Sequence, residues 1–264
     1  MARMLNIEVN GRPAAIEDVH RAATWNYGHF TSMQVRDGAV RGLGLHLSRL
    51  TGASRELFGA AAAHDGDRIR ALVRHALGDA RAASVRVTVL PAPDTEATDI
   101  MVSVSDPAPD EPAPARRVRT VTYERDLPHL KHLATMGLTH RALRAREAGF
   151  DDALFVGRDG YVREGSVWNV AFWDGDQVLW PEAEVLPGIT MQLLRSALDR
   201  TGVRWATRRL TVDALPGMRA AAATNSHCPA QPLASIDDLA FAADDGALTR
   251  VLTTAWAEVA REPV

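Results

Sequence analysis

The sequence predicts an α+β protein of two domains, a small N-terminal α+β domain followed by a larger, barrel-like one. Three observations lead there. The chain has 264 residues, 46% of them apolar, which is enough for more than one core and too apolar for a disordered chain. Pro107, Pro109, Pro112 and Pro114 forbid a helix in their stretch and read as an extended spacer. Beyond it, Asp159-Gly160 and Asp174-Gly175 fall between alternating apolar runs, a β-hairpin signal that implies antiparallel pairing.

The elements follow in order. Residues 1–106 form the first domain, with strands at 5–9, 30–35, 84–90 and 100–105 and helices at 46–58 and 67–77. Leu47, Leu50, Leu57 and Phe58 give the first of those helices its apolar face. Residues 107–117 are the linker and 118–264 the second domain. There a strand at 118–123 precedes a helix at 134–148 that ends at Gly149. The hairpin at 152–162 and a second one joining 169–173 to 177–180 come next. Helices at 190–201 and 247–261 and strands at 204–208, 220–224 and 232–236 complete a mixed sheet with helices outside it.

Composition excludes several classes of function. The formal net charge of −3 supplies no field for nucleic acid. No apolar run reaches the roughly 18–20 residues that a membrane span requires. The first eight residues hold no long apolar segment, so the expectation is a cytoplasmic protein. Cys228 is the single cysteine, which rules out internal disulfides and cysteine-based metal sites, and no metal site is expected.

Lys131 is the one lysine, so 29 of the 30 basic residues are arginine. Guanidinium stays protonated above pH 12, whereas a desolvated amine can lose its proton and attack a carbonyl. The neighbours in Leu127-Pro128-His129-Leu130-Lys131-His132 suggest a partly buried amine whose ammonium form is penalised.

Four further segments carry chemistry. In Asp159-Gly160-Tyr161-Val162-Arg163-Glu164-Gly165-Ser166 a carboxylate at a strand end precedes a glycine that lets a flat ligand approach the backbone. Such a carboxylate keeps a pyridine nitrogen protonated, and only the protonated ring withdraws electrons strongly. In Leu186-Pro187-Gly188-Ile189-Thr190 the amides of Ile189 and Thr190 at a helix start, with the Thr190 hydroxyl, form a phosphate site. Arg49, on the polar side of its helix, suits a phosphate through its planar fork. The polar turn Thr224-Asn225-Ser226-His227-Cys228-Pro229 adds a hydroxyl and backbone donors.

In this order the segments resemble the class IV aminotransferases, the fold type IV enzymes dependent on pyridoxal 5′-phosphate, from about Asn26 to Pro232. That family includes branched-chain and D-amino acid aminotransferases and aminodeoxychorismate lyases. The resemblance implies a small α/β sandwich, a larger pseudo-barrel with the cofactor between the two domains, and a homodimer. It implies that Lys131 forms the internal aldimine and later moves a proton between substrate Cα and cofactor C4′. Glu164 would hold the pyridine nitrogen, Arg49, Ile189, Thr190 and Ser226 the phosphate, and Ser166 would join the cofactor contacts. Phe30, Thr31, Arg86 and His227 would face the substrate, with backbone donors at Ser226 and His227 turned to its carboxylate.

Departures bear on the substrate. Arg86 matches a strand arginine of the branched-chain enzymes, but Gln34, Pro91 and Met136 stand where family members carry arginine, arginine and tyrosine. Phe30-Thr31 resembles the lyase, whose corresponding threonine assists pyruvate elimination, and Lys131-His132-Leu133 is similar to its lysine segment. The leading expectation is transfer of an amino group between an amino acid and a 2-oxo acid. The alternatives are an aminodeoxychorismate lyase, releasing 4-aminobenzoate and pyruvate, and a non-catalytic homologue that retains the cofactor fold.

Overall fold

The computed structural model describes residues 2–93, 97–109, 114–241 and 246–264. Part of the expected linker, residues 110–113, lies outside them. The chain divides into two compact units. One holds Met1–Pro109, Leu130–Ala134 and Ala260–Val264, the other Asp110–His129 and Thr135–Val259.

The first unit is built on a seven-stranded sheet in the spatial order Arg261–Pro263, Ala39–Arg41, His29–Arg36, Ala82–Pro91, Thr98–Ser105, Met4–Val9 and Arg12–Pro13. Every pairing in it is antiparallel. Two of its hairpins turn at Asn10-Gly11 and Asp37-Gly38, all four residues at positive φ, the backbone that matches the twist of paired strands. Strand alternation puts Met33, Val35, Val85, Val87 and Val89 on one face, where they pack with Leu43 and Leu50 of the Leu43–Phe58 helix and with Ile69 and Val73 of the Gly66–Leu77 helix. The opposite face carries Phe30, Ser32 and Gln34 beside Ser84 and Arg86.

In the second unit six strands close on themselves. Asn169–Trp173 pairs with Ala220–Thr224, which leads through Gln231–Ile236, Arg116–Thr122 and Asp152–Val156 to Val162–Gly165. That last strand pairs back to the first through Glu164 and Asn169. Val178–Pro181 and Trp205–Arg208 extend the sheet from Asn169–Trp173. Ala220–Thr224 is buried along its whole length because both faces are covered. Ala221 and Ala223 meet Val170, Phe172 and Leu233, while Ala220 and Ala222 meet Leu194 and Leu198 of the Ile189–Thr201 helix and Leu248 and Leu252 of the Ala247–Ala257 helix.

Two sequence expectations change. The C-terminal helix, expected to reach Arg261, ends at Ala257, and Arg261–Pro263 pairs with Ala39–Arg41 instead. Pro263 disfavours helical backbone at Glu262, which suits a strand. Residues 130–134 and 260–264, grouped by sequence with 118–264, belong to the first unit. The first of these segments is held there by backbone bonds, from the Phe30 amide to the Lys131 carbonyl at 2.9 Å and from the Leu133 amide to the Gly28 carbonyl at 2.9 Å.

Candidate active site

Lys131 is carried by a short antiparallel contact rather than by a helix. His29 and His132 form a bridge, so residues 131–133 occupy the edge of the His29–Arg36 strand that its neighbour Ala82–Pro91 leaves open. Gly28 permits this approach, since a Cβ there would lie 2.7 Å from the Val89 carbonyl oxygen and 2.9 Å from Leu133 Cδ1. The result sets Lys131 Nζ 4.9 Å from the centre of the Phe30 ring, on which the Arg86 guanidinium also stacks at 3.5 Å. Ser32 is the cross-strand partner of Arg86 and shares that face.

Behind this strand lies a row of buried histidines. His46 Nδ1 and Thr31 Oγ1 are 2.6 Å apart, and His29 Nε2 is 2.9 Å from Ser54 Oγ. Burial pushes the His46 imidazole down to about 3, helped by the charges of Arg49 and Lys131. His29 is pushed down to about 4, again chiefly by burial. Both are neutral at physiological pH.

In the second unit the centre is Glu164, at the strand pair that closes the barrel. Its carboxylate is buried, and Arg125, Asn169 and the Leu186 amide are among its N–H donors. Arg125 Nη1 lies 3.1 Å from Oε1, while the Leu186 amide at 3.2 Å and Asn169 Nδ2 at 3.4 Å reach Oε2. Asn169 Nδ2 also donates to the Leu186 carbonyl at 2.9 Å, which ties Glu164 to the loop entering the Ile189–Thr201 helix. Gly188 is the N-cap of that helix, and a Cβ there would overlap Asn169 Oδ1. No side chain caps the helix start, so the first-turn amides of Ile189 and Thr190 point at an anion position. Among the described residues the buried Thr190 has no hydrogen-bond partner for its hydroxyl.

The structure redistributes three of the residues singled out by sequence. Thr31 is fully buried on the helix-covered face, its hydroxyl committed to His46, because strand periodicity turns it away from Phe30 and Arg86. Ser166 donates to Asp152 Oδ2 at 2.9 Å, which also accepts Trp168 Nε1 at 3.0 Å, so its hydroxyl is spent inside the protein. The His227 amide, expected to face a carboxylate, donates instead to Asn225 Oδ1 at 2.9 Å, and the Cys228 amide does the same at 3.0 Å. Ser226, half-buried in that turn, has no hydrogen bond among the described residues. Gln34 is held by Ser84 Oγ at 2.8 Å and by the Ala108 amide at 3.0 Å, and Met136 is 84% exposed.

The sequence assigns no role to Ser32, Arg125 or Asn169. Parity along the strand pointed to Ser32 once Phe30 was chosen, whereas nothing distinguishes Arg125 among 29 arginines. Among the described residues no helix is long and apolar enough to cross a membrane, and no three His, Cys, Asp or Glu are grouped to hold a metal.

Comparison with solved structures returns the same architecture. The branched-chain amino acid aminotransferase of Escherichia coli is similar at TM-score 0.82 and 16% identity, over 98% of this chain and 95% of that one. A hypothetical aminotransferase from Mycobacterium tuberculosis, in a form bound to pyridoxal phosphate, is similar at TM-score 0.77 and 22% identity, over 89% of this chain and 90% of that one. A Legionella pneumophila protein assigned as a 4-amino-4-deoxychorismate lyase is similar at TM-score 0.79 and 18% identity, over 88% of this chain and 91% of that one. No curated protein matches the sequence. The family model for amino-transferase class IV matches residues 28–236, spanning Lys131, Glu164 and the start of the Ile189–Thr201 helix, and the chain belongs to that family.

Proposed function

We propose that this protein is a pyridoxal-phosphate-dependent aminotransferase acting on small amino and 2-oxo acids. The observation that carries the reading is the position of its one lysine, fixed by backbone bonds to the His29–Arg36 strand with Nζ over Phe30. The residues present fit the cofactor. Lys131 is the chain's one lysine amine to meet its aldehyde, and the buried Glu164, held by Arg125, Asn169 and the Leu186 amide, suits its ring nitrogen. The uncapped helix start at Ile189 and Thr190 suits its phosphate, and Arg49 and Ser226 are assigned to the phosphate from the resemblance to the family. When bound, the cofactor supplies an electron sink for the bonds at the substrate Cα.

The chain's own residues then have separate tasks. Glu164 holds a proton on the ring nitrogen by remaining an anion. With the cofactor bound, Lys131 would serve as the base that takes the proton from the substrate Cα and as the acid that returns it. Arg86, stacked on Phe30, binds a substrate carboxylate through its planar fork. A lyase reading draws on Phe30-Thr31. The Thr31 hydroxyl is engaged by His46 on the other face of the strand, and this favours amino transfer.

Borohydride reduction in the presence of pyridoxal phosphate should label Lys131 in the peptide map, and Lys131→Ala should lose the label and turnover together. Amino acids that serve as donors should shift absorbance from roughly 410 nm to about 330 nm. An unlabelled Lys131 would refute the cofactor reading. Labelling with no shift for any L- or D-amino acid, but with 4-aminobenzoate formed from aminodeoxychorismate, would replace the aminotransferase by the lyase.

A further inference from the structure

We propose that Arg125 is a positioning residue for Glu164, a fixed buried charge that keeps this carboxylate ionised and aimed so that the cofactor's ring nitrogen retains its proton. The inference rests on the role given to Glu164 above.

Arg125 and Glu164 meet at 3.1 Å with side chains only 7% exposed each. A carboxyl group this far from water favours its neutral form unless a cation or N–H donors offset the burial. A neutral carboxyl would leave the ring nitrogen without an anionic acceptor. Arginine is suited to the task because its guanidinium stays charged and presents N–H donors that match a carboxylate.

Within the second unit, the other contacts described around the pair do not supply that charge. Asn169, from the neighbouring strand, and the Leu186 amide contribute neutral donors. Asp152 is engaged by Ser166 and Trp168. Arg163, next to Glu164 in sequence, is bound to Glu124 at 2.9 Å and Asp159 at 3.1 Å. Arg125 also lines a cavity of about 290 Å³ shared with Glu124, Asp126, Arg158, Arg163 and Glu184.

Two measurements test this. In the apoprotein, the infrared band of the protonated Glu164 carboxyl, assigned by its absence in Glu164→Gln, is followed against pH. Arg125→Met should raise its midpoint by about one to three pH units, the size expected for removing an adjacent guanidinium. Arg125→Lys, which keeps the charge, should stay close to wild type. In the second, the dissociation constant of pyridoxal phosphate is measured between pH 8 and pH 6. It should be flat for wild type and Arg125→Lys, and for Arg125→Met should weaken once the pH falls below the raised midpoint, by about tenfold for each pH unit below it, as Glu164 takes up its proton.

A purely structural arginine would lower stability without creating this pH dependence. An unchanged midpoint with flat affinity in Arg125→Met would overturn the proposal, as would an Arg125→Lys variant as perturbed as Arg125→Met. If Arg125→Met does not fold, Arg125→Gln is read by the same two criteria. Should the wild type take up no pyridoxal phosphate, the role of Glu164 falls, while the infrared titration still decides whether Arg125 holds it ionised.

Discussion

Replacing Thr31 by valine separates the position this residue has by sequence from the one it has in the fold. Thr31 and His46 are 0% and 3% exposed, and Oγ1 lies 2.6 Å from Nδ1. Valine matches the shape of threonine but removes the hydroxyl, leaving a buried ring nitrogen without its partner. That loss costs about 1–3 kcal/mol. For a chain of this size it corresponds to a fall in Tm of about 2–12 °C. Thr31→Ser keeps the hydroxyl and should lose no more than the burial of one methyl, about 0.8 kcal/mol. Ser32→Ala should be the mirror image. Ser32 is half-buried beside Arg86 with no side-chain hydrogen bond among the described residues, so stability should stay within about 0.5 kcal/mol of wild type while the KM for the amino acid rises. Thermal and urea unfolding of the apoprotein, set beside half-reaction kinetics, read both effects. A Thr31→Val protein as stable as wild type but with a raised KM, together with a silent Ser32→Ala, would refute the assignment of faces.

The buried histidines predict an acid-labile first unit. Burial holds His29 near about 4 and His46 near about 3, both below the unfolded value. The unfolded chain therefore gains protons below about pH 6.5 that the folded one refuses. Stability should be complete above that pH and fall as pH drops toward 4, by about 1.4 kcal/mol per histidine per pH unit. Urea midpoints at pH 7.5, 6 and 5 check the slope, and His29→Gln should remove close to half of it; equal midpoints at all three pH values would contradict the neutral assignment. Gly188→Ala should expel Asn169, since its Cβ would overlap Oδ1. The expected outcome is a loss of about 1–3 kcal/mol and weaker cofactor binding. The double variant with Asn169→Ala should cost less than the sum of the two single changes, and strict additivity would show that the two positions are not in contact.

The elements legible in the sequence are those whose burial is uniform along a face. The helix at Leu43–Phe58 shows its leucines at helical spacing, and Asn169–Trp173 and Ala220–Thr224 show unbroken apolar runs, because both faces of the closed sheet are covered. The helix Ile16–Thr24 is not legible. Its apolar residues are few, Ile16 is 80% exposed, and its start is held by Asp18 accepting from the Ala15 amide and pairing with Arg12. Those contacts depend on where Arg12 lies after folding. The Asp37-Gly38 turn is written in the sequence as plainly as Asp159-Gly160. Its short second strand, Ala39–Arg41, is stabilised by Arg261–Pro263 from the far end of the chain, a partner that local pattern does not announce.

The site divides along the same line, between what one residue's chemistry reveals and what depends on competition among acceptors. Lys131 is legible because it is the only lysine in a chain that otherwise uses arginine. The same bias hides Arg125, whose importance lies in being 3.1 Å from Glu164 and away from water. Ser166 and the His227 amide are donors of the right kind in the right motif, yet Asp152 and Asn225 claim them within the folded chain. Spacing identifies donors that can reach a ligand, but a buried carboxylate or amide oxygen nearby takes the nearest N–H or O–H first, since leaving it unsatisfied is costly. The donors left available, the amides of Ile189 and Thr190 and the Thr190 hydroxyl, are those whose helix start ends in a glycine with no side chain to cap it. Gly188 therefore serves twice. It admits Asn169 to the clamp on Glu164, and by offering no cap of its own it leaves the helix start open to an anion.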